Sequence, residues 1–198
     1  MAVGERDAAG PAGGDPQDRA LLARVARGEA DALAALSARH QRPLRAYLGL
    51  LTPDPGLAEE LLQDVLLAAW RGAGGFAGRA SVRSWLLGIA RHRAHAALGR
   101  RGWHQVPVDE VAPGEVPSAP DPADLVLAAA ERAELVAAIR GLAPAHREVL
   151  ALVFAHELRY RELAEALGVP VGTVKSRLHA ARLALRARLD AEPGGTAT

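Results

Sequence analysis

There is no cysteine among these 198 residues. That excludes disulfides, thiol nucleophiles and thiolate metal sites, and it is compatible with a reducing compartment. Aromatic residues make up only 4% of the chain. Cores must therefore be built from Leu, Ala and Val, of which Ala and Leu favour helix. Lysine occurs once, at Lys175, among 24 basic residues; with the abundant Ala and Gly, that imbalance is first a GC-rich coding bias. No uncharged apolar run is long enough to span a bilayer. The opening MAVGERDAAGPAGGDPQDRA also lacks the apolar core of a signal peptide. A cytoplasmic protein without membrane insertion is expected.

What is present is a balanced chain, with net charge +1 and 49% hydrophobic residues, enough for one or two small domains. No strand-like alternation appears, so the fold class is all-α. Residues 1–17 read as a tail rich in Gly, Ala and Pro. Leu21, Leu22, Val25, Leu33, Leu36, Leu44, Tyr47 and Leu48 recur at helical spacing, with Gly28 and Pro43 dividing them into two or three helices. TPDPG at 52–56 is a turn, and a helix follows with Leu57, Leu61, Leu62, Val65, Leu66, Ala69 and Trp70 on one stripe. GAGGFAGRA at 72–80 breaks it, and a further helix runs from about Val82 to Leu98.

Five prolines between Gly102 and Pro122, without periodicity, mark a linker over 102–123. Helical patterning returns at about Asp124, and three breaks divide it into four helices: Gly141 to Pro144, Leu158 to Tyr160, and Gly168 to Pro170. The organisation is two helical domains, 18–101 and 124–190, with a short tail over 191–198.

In YRELAEALGVPVGTVKSRLHAARLAL a short helix, a Gly-containing turn and a longer helix follow one another. Leu163, Ala164 and Leu167 face inward from the first helix, and Val174, Leu178 and Ala181 or Leu185 from the second. Gly168 allows the tight turn. This is a helix-turn-helix plan, whose second helix enters the major groove by its N-terminal end. From Gly168 to Leu189 there is no Asp or Glu, against one Lys, four Arg and one His. Thr173, Ser176 and Arg177 share the outward stripe near the helix start and suit base edges or the first phosphates. Lys175, His179, Arg182 and Arg186 flank them and suit backbone phosphates.

The 58–71 helix carries Glu59, Glu60 and Asp64 with no base before Arg71. Glu60, Gln63 and Asp64 lie on one outward stripe, which suits a basic protein partner rather than DNA. From Arg79 to Arg101 the sign reverses, with six Arg, two His and no acid. Phe76 stands in the glycine-rich loop and Trp85 begins the next helix. Arginines beside exposed rings are what single-stranded DNA binding requires. The spacing of Trp85 with Leu86 and Ile89 suits the core, while Phe76 fits core and stacking surface equally.

LAPAHREVLALVFAHELRYRELAEALGVPVGTVKSRLHAARLALRARL closely resembles region 4 of the extracytoplasmic-function (ECF, group 4) sigma factors of bacterial RNA polymerase. AEELLQDVLLAAWR resembles their region 2.2, SWLLGIARHRAHAALGRR their regions 2.3 to 2.4, and LLARVARGEADALAALSARHQRPLRAYL their regions 1.2 to 2.1. The resemblance implies a sigma factor that binds core polymerase and directs promoter-specific initiation. It implies minus-thirty-five contacts from Pro170, Val171, Thr173, Lys175, Ser176, Arg177, His179 and Arg182. Minus-ten contacts and melting would fall to Phe76, Arg79, Arg83, Arg91, His92 and Arg93. Glu59, Glu60, Gln63 and Asp64 would dock on the beta-prime clamp helices, and the C-terminal domain on the beta flap. An anti-sigma protein commonly holds such factors inactive.

The chain departs from the family where many members read ARN-x-x-x-D-x-x-R, having His92, Ala96 and Gly99 instead, so the family's minus-ten preference is not carried over. The linker acids Asp109, Glu110, Glu115 and Asp121 suit a strand threaded into a polymerase channel built for nucleic acid, or a simple solvated tether. His92 and His95, with His104 beyond, lack the converging third and fourth ligands of a metal site. No cofactor is expected, and with no phosphate loop or nucleophile motif no enzyme activity either. The rival reading is a stand-alone dimeric helix-turn-helix regulator, which would not need the acidic stripe.

Overall fold

The computed structural model describes residues 16–99, 129–155 and 158–191, and among these it contains α-helices, one 3-10 turn and no strand. The linker 102–123 and nearly all of both tails lie outside the described residues. The first helix, α1 (Pro16–Val25), begins two residues before the expected domain start. Gly28, in the left-handed region at φ 84°, turns the chain into α2 (Ala30–Leu51).

Pro43 does not divide that segment: α2 runs through it unbroken for 22 residues. An interior proline costs a helix roughly 3 kcal/mol. Here Ala32, Leu36, His40, Leu44, Tyr47 and Leu48 form one continuous buried stripe on both sides of it. α2 packs against α1 and against four later helices of the chain, and burial at this scale outweighs the local loss.

α3 (Pro55–Gly72) starts at Asp54, whose carboxylate accepts the Gly56 and Leu57 N–H groups at 2.9 and 3.1 Å, with Pro55 in the first turn. A 3-10 turn (Ala73–Gly75) leads through a loop into α4 (Val82–Gly99). Ser81 caps α4 by accepting the Ser84 N–H at 3.1 Å. α1 to α4 enclose the first core, with Leu22, Leu36, Leu48, Val65, Leu86 and Leu87 buried.

The second part comprises α5 (Ala129–Arg140), α6 (Pro144–Ala155), α7 (Tyr160–Leu167) and α8 (Val171–Ala191), the four helices expected after the linker. Ile139, Val149, Leu150, Leu152, Leu163 and Val174 are buried in its core.

The two parts are packed together. α6 lies along α2, and α7 lies along α4. Arg140 donates to the Gly49 carbonyl at 3.1 and 2.6 Å, and Arg147 to that of Leu51 at 3.4 Å. Both carbonyls belong to the last turn of α2, which carries no basic residue of its own. Nothing in the sequence pattern announced this closure, because it depends on pairing across a long linker.

Candidate nucleic-acid and polymerase interfaces

α7 and α8 form the helix-turn-helix. Leu163, Ala164, Leu167, Val174, Leu178, Ala181 and Leu185 are all buried, as their spacing required. Gly168 ends α7 in the left-handed conformation at φ 67°, and the Val169 N–H closes the turn on the Ala164 carbonyl at 3.1 Å. Glu162 accepts the Arg159 backbone N–H at 3.0 Å at the other end of α7.

The start of α8 presents Pro170, Val171 and Lys175 exposed, with Thr173, Ser176, Arg177, His179 and Arg182 half-buried around them. The Lys175 ammonium stands 5.5 Å above the Tyr160 ring, a cation–π contact that ties α8 to the first residue of α7. Ser176 donates its hydroxyl to the Thr173 carbonyl at 3.1 Å within the helix. Further along, Arg186 reaches Asp190 at 3.7 Å, and Arg188 donates to the Gly141 carbonyl at 3.2 Å. The helix therefore shows cations along one side and leaves Leu183 bare on the surface.

On α3 the stripe Glu59, Glu60, Gln63 and Asp64 is exposed opposite the buried leucines, and Leu67 continues it as an exposed apolar residue. Glu59 is partly engaged, accepting Arg45 of α2 at 3.1 Å. Glu60, Gln63 and Asp64 are left facing outward, an acidic surface beside an apolar one.

α4 and the loop before it carry the second basic surface. Arg79, Arg83, His92 and Arg93 are exposed. Phe76 and Trp85 are each half-buried, their rings tilted at 58° with centroids 5.3 Å apart. Both rings pack partly against the core, and Trp85 also faces an open groove. That groove, about 540 Å³, is lined by Gly72, Gly75, Ala80, Trp85, Gly88 and His92. Arg19 of α1 steadies the loop by donating to the Gly78 carbonyl at 3.2 Å, Gly78 itself being left-handed at φ 70°.

Arg91 does not join the exposed cations. It is half-buried and donates to Glu148 of α6 at 3.0 Å; His95 meets the same carboxylate at 2.6 Å. So His92 and His95 do not converge: one is exposed and the other is committed to Glu148. Among the described residues, no group of three or more His, Asp or Glu side chains could hold a metal ion. Glu148 stands within the buried run Glu148 to Leu152. A carboxylate inside such an apolar run is a signal that its partner comes from elsewhere, and it is legible in the sequence.

Comparison with known proteins agrees with this geometry. Residues 36–104 match the family described as Sigma-70 region 2, and residues 132–185 match Sigma-70, region 4. The chain is 31% identical over 184 residues to the ECF RNA polymerase sigma factor SigK of Mycobacterium ulcerans (strain Agy99), covering 92% of this chain and 98% of that one. It is 34% identical over 185 residues to ECF RNA polymerase sigma factor SigC of Mycobacterium tuberculosis (strain CDC 1551 / Oshkosh), covering 88% and 91%. Among solved structures, CnrH in complex with the cytosolic domain of CnrY is similar with a TM-score of 0.66 and 27% identity, over 89% of this chain and 99% of that one. The sigma factor RpoE in complex with the anti-sigma factor NepR from Bartonella quintana is similar with a TM-score of 0.57 and 27% identity, over 76% and 91%. No helix of the described residues is long and apolar enough to cross a membrane. A single helix-turn-helix would leave the acidic α3 and the arginine-rich α4 without a purpose, whereas similarity that runs in order through both halves accounts for them: this chain belongs to the ECF sigma factors of RNA polymerase, and it directs transcription initiation.

Proposed function

We propose that the chain divides promoter recognition between its two helical parts while α3 holds the polymerase. In this reading the domain over 18–101 binds core enzyme through Glu59, Glu60, Gln63 and Asp64, seated on the beta-prime clamp helices. Its loop and α4, with Phe76, Arg79, Arg83, Arg91, His92 and Arg93, capture the melted minus-ten strand. The domain over 124–190 docks on the beta flap and reads the minus-thirty-five element with Pro170, Val171, Thr173, Lys175, Ser176, Arg177, His179 and Arg182. The 102–123 linker joins them through the polymerase. The chain itself performs no chemistry, needs no cofactor and works in the cytoplasm, where the polymerase supplies the reaction.

The observation that carries this reading is the segregation of charge by helix. The outward face of α3 is acidic, while the exposed faces of α4 and α8 are cationic. Acid belongs on a protein partner and cation on nucleic acid. An anti-sigma protein is a further expected partner, since the solved relative RpoE is described in complex with the anti-sigma factor NepR.

Run-off transcription with purified core polymerase on genomic promoter fragments tests the proposal. Promoter-specific transcripts dependent on the chain are expected. A chain that binds promoter fragments tightly by itself and yields no transcript with a matched core enzyme would overturn it.

A further inference from the structure

A buried charged cluster lies between the two domains. The Glu148 carboxylate of α6, 3% exposed, is held by Arg91 Nε at 3.0 Å and His95 Nε2 at 2.6 Å, both from the acid-free helix α4. The Tyr47 hydroxyl of α2 is buried nearby and has no hydrogen-bond partner among the described residues. It lies within the electrostatic reach of both Glu148 and Arg91: burial first, then the Glu148 charge, raises its proton affinity, and Arg91 opposes them. A guanidinium and an imidazole therefore hold one buried oxyanion, whose charge is felt by a buried phenol of the first domain.

A carboxylate and a phosphodiester offer a guanidinium the same kind of oxygen. We propose that Arg91 and His95 form a seat for a DNA backbone phosphate, and that Glu148 occupies it when the two domains close. Closure and DNA binding at this part of α4 then exclude one another. The inference rests on the reading of α4 as the minus-ten face. It adds His95 and an internal competitor to that reading.

Two physical arguments favour competition over mere packing. A buried carboxylate is stable only while its charged partners are present, so Glu148 and the two cations leave the seam together when the domains part. An intramolecular competitor also acts at an effective concentration on the order of mM. Short single-stranded DNA at lower concentration cannot displace it unaided. A partner that separates the domains, as core polymerase would, uncovers the seat without touching it.

The closure has a second handle away from the seat. Arg140 reaches the Gly49 carbonyl and touches neither Arg91 nor Glu148. Glu148→Gln should loosen the seam at the seat, and Arg140→Ala should loosen it at a distance. With the full chain free of polymerase, small-angle scattering should show a larger radius of gyration for both variants. Both should bind a labelled single-stranded DNA of about a dozen nucleotides more tightly. About ten-fold is expected for Glu148→Gln, the factor that follows from losing a charge-assisted hydrogen bond of the closed form. Adding His95→Ala to Glu148→Gln should remove most of that gain.

If Glu148→Gln loses helix content by circular dichroism, Arg140→Ala decides. Expansion without tighter DNA binding overturns the competition. No expansion in either variant overturns the role of these contacts in closure. Run-off transcription with the same proteins separates the two readings. Normal transcripts with unchanged DNA affinity sink only the competition, whereas no transcript from any form, wild type included, counts against the underlying reading.

Discussion

Asp18 on α1 and His40 on α2 meet at 2.8 Å, both buried, and the second carboxylate oxygen of Asp18 accepts Arg39 Nε at 2.7 Å. One acid thus fastens the first helix to the second at two adjacent residues. Replacing Asp18 with Ala leaves two donors without that acceptor and should lower unfolding free energy by about 2 kcal/mol. Urea denaturation followed by circular dichroism measures it, and a loss below roughly 0.5 kcal/mol would show that the bridge adds little beyond packing.

Burial pushes the His40 imidazole below its ordinary pKa, against the upward pull of Asp18, and Arg83 and Arg39 add to the lowering. Burial also lowers His146. The folded chain keeps both rings neutral where the unfolded chain, with an ordinary value of about 6.5, already takes up protons. Stability should therefore hold above that value and decline as pH falls through it toward the lowered folded values. Melting temperatures between about pH 7.5 and about pH 5.5 should fall, and His40→Asn should flatten part of the fall. A profile identical to wild type in that variant would contradict the assignment.

Gly168 sits at φ 67° between α7 and α8. A Cβ there meets no neighbour within 4 Å, so any penalty is conformational. Gly168→Ala should cost about 1 kcal/mol, and Gly168→Val more, because β-branching disfavours that region further. Thermal melting checks the order Gly, Ala, Val.

Glu60 and Asp64 are exposed on the outer face of α3. The double change Glu60→Arg and Asp64→Arg should leave the fold intact and abolish binding to core polymerase. Co-elution with core enzyme gives the answer, and retained binding would remove α3 as the docking surface.

On α8, Arg177→Ala should weaken discrimination between minus-thirty-five sequences, by about 1–3 kcal/mol if it reads a base. Arg182→Ala should weaken all sequences alike. If about three phosphates are neutralised, log K against log salt has a slope near −3, and Arg182→Ala reduces it by about 0.9. Fluorescence anisotropy with the holoenzyme across a salt series distinguishes the two residues.

Much of the helix-turn-helix was legible because its determinants are local. Leu163, Leu167, Val174 and Leu178 keep helical spacing, and Gly168 stands where a left-handed residue is needed. The acidic face of α3 was legible for the same reason. Pro43 misled because local propensity forecasts a break, while a buried stripe extending on both sides of it holds the helix together. Arg91 read as one more cation on a DNA-facing helix. Its partner Glu148 lies 57 residues away in sequence, beyond anything periodicity can express. Only the unexplained acid within a buried apolar run hinted at it.

The end of α2 has a consequence for how the chain comes apart. Its last carbonyls are completed by Arg140 and Arg147, which belong to the other domain. A helix terminus carries partial negative charge and unpaired acceptors that need donors. Drawing the domains apart hands those acceptors back to water, so opening is a local fraying of α2 as well as a rigid-body separation. Protection of amide hydrogens near Leu50 and Leu51 against exchange would then report, from within the first domain, whether the second is still in place.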